Sequence, residues 1–487
     1  MMISGLTALS LLVLLRAPAT QGWGARSTEQ GARPPRPTPL PLLGNLLQES
    51  GRLDYALMEL SGRWGPVFTV WLGKRPAVVL CRYAALRDAL VLQADAFSGR
   101  GATAIFERFT RGNGIAFSEG PRWPTLRHFA LGALKEFGLG TRSVEECVLE
   151  EAACLLGEFQ ATGGAPFNPR QLLDNAVSNV ICSVVFGNHY GYEDMEFLRL
   201  LDLFNYNFCI MSSRWGEMYI FSSLLDGLPG PHHEYSETSL RVFLSQQMQL
   251  HQQTRQPGKP HYFIHSFLDQ IATGTENPES HFQAEMLVMT THNLFFGGTE
   301  ITGTTLRYGL LILLKYAEVL CKVPAELDGV AGRMRAQTLE DREYPLCTNT
   351  VLHEIQRFIS VVSFGLPRAL TCNTTSNLGT SPQGTFVIPL LVSTHWVPTQ
   401  FKNPECLNPT NFLNQGEFQS NNAFVPFALG KRMCLGAGLA PTEIFLTSIL
   451  LRFFLLPVGS HSDTDLTPQC TGPGNVPPAF QLRLVAH

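Results

Sequence analysis

Charge is scarce in this chain of 487 residues. Only 16% are Asp, Glu, Lys or Arg, while 45% are hydrophobic; about 25% charged is ordinary for a soluble domain. The 40 acidic and 36 basic side chains leave a net charge of −4, which gives no reason to expect a nucleic-acid partner. The eleven cysteines are scattered and odd in number, and none stands in a Cys-x-x-Cys pair. A zinc site of the usual spacing is therefore unsupported. A reducing compartment suits this pattern better than a disulfide framework does. Internal repeats and low-complexity tracts are missing too, which excludes a repeat array. What remains is an apolar-rich chain able to bury a large core.

Basic residues are also missing where the chain begins. Met1 to Leu15 carry no charged side chain, and Arg16, Arg26, Arg33 and Arg36 come only afterwards. Spanning a bilayer takes about 20 apolar residues, so the segment is short. A secretory signal peptide is the rival, with Ala17-Pro18-Ala19 as its cleavage-like site. The charges that follow favour an uncleaved anchor with the body of the protein in the cytosol. Residues 1–20 are read as this anchor and 21–45 as a linker. Its Arg-Pro-Pro-Arg-Pro-Thr-Pro-Leu-Pro run from Arg33 excludes helix and favours a stiff extended hinge. Residues 46–487 are read as the main domain.

Within that domain, Val67–Trp71 and Ala77–Cys81 flank Gly73 and read as a β-hairpin. Helical patterns dominate from about residue 122 to 360, interrupted at Gly227-Leu228-Pro229-Gly230-Pro231, and short apolar runs with turns follow Phe358. The longest predicted helix runs from about His281 to Leu314. It is apolar almost all round and so should be buried. Gly297 and Gly298 sit inside it at a cost of about 1 kcal/mol each against Ala. Either something flat passes close to the backbone there, or the helix packs loosely.

The most specific signal is Phe427-Ala428-Leu429-Gly430-Lys431-Arg432-Met433-Cys434-Leu435-Gly436. Gly430 and Gly436 allow tight turns and close approach to a flat ring. An apolar helical run from Leu439 to Phe454 would place the sulfur near a helix N-terminus, where a thiolate is favoured. A single buried Cys is usually a small hydrophobe, but five matched positions in this decapeptide outweigh that. The run matches Phe-x-x-Gly-x-Arg-x-Cys-x-Gly. The chain resembles the cytochrome P-450 haem-thiolate monooxygenases over essentially its whole length, closest to the vertebrate microsomal family-2 enzymes. Leu172-Leu173-Asp174-Asn175-Ala176-Val177-Ser178-Asn179-Val180-Ile181-Cys182 and Leu306-Arg307-Tyr308-Gly309-Leu310 carry the likeness further.

That resemblance implies a mainly α fold with a smaller β-rich portion, in one large body rather than the several domains that length alone suggests. It implies haem b (iron protoporphyrin IX) with Cys434 as the iron's ligand, a thiolate that favours O–O cleavage. Electrons would come from NADPH through NADPH-cytochrome P-450 reductase, with cytochrome b5 as a further donor. The setting would be the endoplasmic reticulum membrane, with the catalytic domain on its cytosolic face. Trp123, Arg127, Arg368 and Arg432 would hold haem propionates, since a guanidinium binds a carboxylate by charge-assisted hydrogen bonds. Phe427 and Gly436 complete the cofactor loop. Ile105, Phe296, Gly297, Ile301, Val362 and Leu366 would line the pocket for a small apolar substrate, a xenobiotic or a lipid. Glu354 and Arg357, three apart on one helix face, resemble the family's structural pair, normally completed by a basic residue; here the third partner would be Asn411.

The chain departs from the family pattern in informative places. Gly297-Gly298-Thr299-Glu300-Ile301-Thr302 keeps the acid but puts Ile301 where the alcohol that helps deliver protons normally stands. Thr302 lies about 100° further round the helix and should point elsewhere. Reducing power would then leak as peroxide. Pro441 and Pro324 interrupt helical runs, Ser363 stands where related enzymes often have Pro in the pocket wall, and Pro124, Thr125 and His128 replace basic residues on the reductase-docking face. Two other readings follow: a hydroperoxide isomerase or peroxygenase, for which Ile301 is no handicap, and a non-catalytic remnant, motivated by Pro441, Pro324 and Asn411.

Overall fold

The computed structural model describes residues 34–39, 44–45, 52–73, 75–137, 142–213, 216, 237–274, 280–320, 323, 326, 346–376, 379–438, 441–472 and 474–487. The anchor at 1–20, most of the linker, the interruption at 227–231 and Pro324 lie outside these residues, as does the side chain of Ile105.

The architecture is mainly α with a smaller β-rich portion. The helices are α1 Leu53–Trp64, α2 Arg82–Arg87, α3 Ala104–Thr110, α4 Arg122–Glu136, α5 Arg142–Ala161, α6 Arg170–Val185 and α7 Met195–Ser212. They continue with α8 Glu237–Thr254, α9 Phe263–Gly274, α10 Ala284–Lys315, α11 Leu346–Ile359 and α12 Pro441–Arg452. A five-stranded sheet is built from β1 Val67–Leu72, β2 Arg75–Leu80, β3 Gly99–Arg100, β4 Arg368–Ala369 and β5 Phe386–Pro389, in the order β1-β2-β5-β4-β3. The predicted hairpin is there as β1 and β2, antiparallel with Val67 opposite Leu80, and it turns at Gly73 with φ +63°. The described part of the hinge runs beside it: the Thr69 N–H donates to Pro35 O at 2.8 Å.

The core forms around α10. This 32-residue helix is about 48 Å long, and its apolar side chains enter the main cluster with those of α5, α6, α9 and α12. Small residues let α6 cross it closely. A Cβ on Gly298 would lie 2.4 Å from Ile181 Cδ1, and one on Gly303 would lie 2.6 Å from Asp174 Oδ1. Gly298 is therefore required by a neighbouring helix rather than by a flat ligand. A Cβ on Gly297 would meet nothing within 4 Å. Pro441 opens α12 instead of breaking it, and at a first helical position the missing N–H costs little. Among the described residues Leu435–Arg452 is the one stretch apolar enough to cross a membrane, and Ile444, Phe445, Leu446 and Ile449 in it are buried in the core.

Candidate active site

The cysteine loop is closed by its own backbone. The Cys434 N–H donates to Phe427 O at 3.0 Å, and the Met433 N–H to Gly430 O at 2.9 Å. Ala428 and Gly430 both have positive φ, +62° and +74°. A Cβ on Gly430 would lie 1.7 Å from Leu90 O, so this glycine seats the loop against the residues that follow α2. Cys434 is exposed to solvent, with protein packed closely around the sulfur on its inner side. Burial pushes its thiol pKa up, while the Gly436 N–H and the Arg127 guanidinium pull it down. The Gly436 N–H that lowers the thiol belongs to the 3-10 turn Leu435–Gly438, so a helical N-terminus does act on the sulfur, although burial works against it. That turn follows Cys434 directly, and α12 covers Pro441–Arg452 beyond it.

Beside the loop lies a cluster of arginines. Arg432 stacks on the buried Trp123 ring with its guanidinium carbon 3.8 Å from the centroid. Its donors go to Ser98 O at 2.8 Å and Ser118 O at 2.7 Å. Arg127, one turn along α4 from Trp123, donates to Met433 O at 2.7 Å. Arg368 stands directly opposite Arg100 in the β3–β4 ladder, and like charges so placed repel. The Arg368 Nε is buried without a hydrogen-bond partner. Burial and Arg127 push the Arg368 pKa down to about 10. Burial, Arg368, Arg432 and Arg127 push that of Arg100 well below its ordinary value, against the pull of Glu119. Arginine does not deprotonate in practice; such a cluster calls for anionic charge.

The α10 face near Gly297 is apolar and aromatic. Phe296, Ile301 and Thr302 on α10 are half-buried, as are Val362 and Leu366 after α11. Ile301 packs against two of the apolar clusters, and the Thr305 hydroxyl donates to Ile301 O at 2.7 Å. Ser363 is not part of an open wall. It is fully buried, donates to Asp54 Oδ2 at 3.2 Å and accepts from Asn475 Nδ2 at 3.1 Å.

Glu300 faces away from solvent with both carboxyl oxygens unpartnered. Burial and the Asp174 carboxylate raise its pKa well above the usual range, against the pull of Arg307. The fold therefore favours its protonated form over the carboxylate. An unfolded glutamate ionises near about pH 4.3, so stability from this group is full below that value and falls as pH rises towards the folded pKa. Glu300→Gln is accordingly expected to raise the melting temperature at pH 8 and to leave it unchanged at pH 4. Parallel melts at the two pH values check this.

Glu354 and Arg357 are both fully buried and bidentate, at 2.7 and 2.8 Å. Arg357 also donates to the carbonyls of His395, Pro404 and Cys406. Glu354 accepts from the Asn408 N–H at 2.8 Å and from Asn411 Nδ2 at 3.3 Å. Asn411 thus meets Glu354 by hydrogen bond alone.

The family model described as Cytochrome P450 matches residues 34–482. The chain belongs to the cytochrome P450 family. It is 47% identical over 460 residues to cytochrome P450 2F2 of Mus musculus, covering 93% of this chain and 94% of that protein. It is 46% identical to cytochrome P450 2F3 of Capra hircus, over 98% and 97% of the two chains. With cytochrome P450 2G1 of Oryctolagus cuniculus it shares 43%, over 95% of each. As a P450 the protein is a haem monooxygenase, an oxidoreductase that uses haem b and NADPH through a partner reductase.

The P450 site fits that cofactor. Haem carries two propionates, and the crowded arginines with the orphaned Arg368 Nε suit two carboxylates. Sequence reasoning missed two residues here. Arg100 joins the cluster through strand pairing, and its flanking glycines were the available signal: a Cβ on Gly99 or Gly101 would strike Ala369 O or the Phe386 ring. His292, one turn before Phe296, is buried with neither ring nitrogen partnered. It stacks on Phe296 with centroids 5.9 Å apart and lies 4.5 Å from Phe109. Burial and Arg241 push its pKa down to about 3, so the ring is neutral.

Arg368→Leu is expected to weaken haem retention by roughly 10- to 100-fold, the worth of one charge-assisted hydrogen bond. The haem-free protein should at the same time melt higher, because a repelling charge is gone. Haem transfer to apomyoglobin and melting of the haem-free protein measure the two effects.

Proposed function

We propose that the chain is a membrane-anchored monooxygenase of the endoplasmic reticulum, with its catalytic domain on the cytosolic side. It places one oxygen atom into small apolar substrates, xenobiotics or lipids. The supporting observation is the open, aromatic α10 face at Gly297 in a chain whose cysteine loop and arginine cluster suit haem. Haem b, when bound, supplies the activation of dioxygen. Cys434 is the residue that would ligate its iron. Trp123, Arg127, Arg368 and Arg432, joined by Arg100, hold and position the propionates. Arg432 acts mainly by bracing the loop, because two backbone carbonyls already take its donors. Glu300 holds a proton at its carboxyl for delivery towards the oxygen. Phe296, Ile301, Val362 and Leu366 exclude water from the substrate, and neutral His292 favours substrates with one hydrogen-bonding group. NADPH-cytochrome P-450 reductase supplies electrons, with cytochrome b5 as second donor. Pro124, Thr125 and His128, exposed on α4, leave that docking face with little positive charge.

Two reasons for a non-catalytic remnant weaken, since Pro441 starts its helix and Asn411 bonds Glu354. The first experiment is the dithionite-reduced carbon-monoxide difference spectrum, followed by turnover with reductase and NADPH on a broad apolar panel. A thiolate-type Soret band with oxygenated products supports the reading. A band without the thiolate, or peroxide as the sole product, refutes it. Turnover of hydroperoxides without reductase would favour the isomerase or peroxygenase instead.

A further inference from the structure

Outside the haem site, α5 and the turn after α6 bring three different metal-binding groups together. Glu151 and Cys154 are three apart on α5 and so share a face. His189 lies on the turn after α6, which Asn179 fixes in place. Asn179 donates to Tyr190 O and accepts from the Tyr190 N–H, both at 2.9 Å. The Tyr192 hydroxyl donates to Glu151 Oε1 at 2.6 Å, leaving Glu151 Oε2 against His189 Nε2 at 2.6 Å. The carboxylate oxygen, imidazole nitrogen and thiol sulfur lie within 4.8 Å of one another.

We propose that Glu151, Cys154 and His189 bind one zinc ion that ties α5 to the turn after α6. Zinc takes mixed sulfur, nitrogen and oxygen ligands in tetrahedral geometry, with bonds of about 2.0–2.3 Å. Donors around it therefore stand about 3.4–3.8 Å apart, so the Glu151–His189 hydrogen bond at 2.6 Å opens by about 1 Å and the sides to Cys154, within 4.8 Å, close by up to about 1 Å. Glu151 is buried and held, whereas Cys154 and His189 are exposed and can swing inward. Among the described residues no lysine or arginine pairs with the Glu151 carboxylate; its one charged partner is His189, and only when protonated. A divalent cation supplies the missing positive charge. Burial and the carboxylates of Glu151, Glu150 and Glu158 push the Cys154 thiol up, so the free site holds a thiol whose proton passes to the buffer as the metal–sulfur bond forms. Tyr192 and Asn179 orient the carboxylate from behind, as outer partners of metal ligands do. Water takes the fourth position. Because the donors come from separate segments, no cysteine spacing announces them.

The test uses the full-length haem-loaded protein, stripped with a chelator and titrated with zinc chloride. Calorimetry, zinc counting after desalting, and X-ray absorption at the zinc edge read the result. One zinc per chain with one sulfur near about 2.3 Å is expected. Cys154→Ser and His189→Gln should each weaken binding by at least about tenfold, and Tyr192→Phe by about tenfold. The reduced carbon-monoxide spectrum should be unchanged in all three. No retained zinc in the wild type overturns the site. So does zinc without a sulfur neighbour, or wild-type affinity in Cys154→Ser and His189→Gln.

Discussion

Ile301→Thr is expected to raise the rate of product formation by on the order of 10²-fold and to lower peroxide release per NADPH consumed. Proton transfer by a positioned group contributes about 10²–10⁴-fold, and the helix face at Gly297 lacks such a group. Ile301 stands four residues beyond Gly297, so the two lie on neighbouring positions of one face. Three of the nearby alcohols are committed inside the protein, and the half-buried Thr302 lies about 100° round the helix from Ile301. Thr299 accepts from Ser178 at 3.1 Å, Thr304 accepts from Arg307 at 2.9 Å, and Thr305 donates back to Ile301 O. Glu300 is buried with both carboxyl oxygens unpartnered, so no hydroxyl links it to the open face. Isoleucine and threonine are both β-branched, so χ1 preferences carry over and the lost packing of a half-buried side chain is modest. Ile301→Val, which trims a methylene and adds no hydroxyl, is the control and should leave the peroxide yield high. Product and peroxide measured together in the reconstituted system decide the matter. Equal values for Ile301→Thr and the wild type would mean that protons arrive by another path.

Arg357→Ala should cost about 3–5 kcal/mol, the usual penalty for removing one partner of a buried ion pair. Typical domain stability is only about 5–15 kcal/mol. Arg357 satisfies Glu354 and three backbone carbonyls at once, so its loss strands a carboxylate and three acceptors in a dry interior. Burial already raises the Glu354 pKa despite the arginine, and without Arg357 the carboxyl must take up a proton. The neighbouring segment 404–411 leads towards the cysteine loop, and the thiolate spectrum should vanish with it. Glu354→Gln with Arg357→Met, which empties the site of charge, should recover part of the loss. Melting temperature and the reduced carbon-monoxide spectrum of the two variants measure this. A fully folded Arg357→Ala protein would show that the pair is dispensable.

Legibility from sequence followed the range of the interaction. The β1–β2 hairpin and the long helix came within a few residues of their observed ends, because local turn chemistry and periodicity set them. The meeting of Glu354, Arg357 and Asn411 was half local: the first two share a helix turn, and the third reaches Glu354 from 57 residues further on. Arg100 was missed because its partner Arg368 arrives from a strand 268 residues away. From sequence Gly298 is open to a flat ligand or to loose packing, whereas Ile181 of α6 presses closely on it. Ser363 was assigned to the pocket wall, although Asp54 and Asn475, far off in the chain, hold it.

By itself the sequence determined the family, the mainly α architecture, the cysteine expected to carry the iron, and the missing alcohol at Ile301. Each of these rests on residue identity at short spacing, where chain connectivity alone brings the groups together. Only the tertiary structure decided which arginines crowd one another, that Pro441 opens a helix, that Glu300 is buried with both oxygens unpartnered, and that Glu151, Cys154 and His189 converge. Those are effects of burial and of charge across distant segments. Burial and through-space repulsion depend on how helices and strands pack, and packing is settled by the whole core at once.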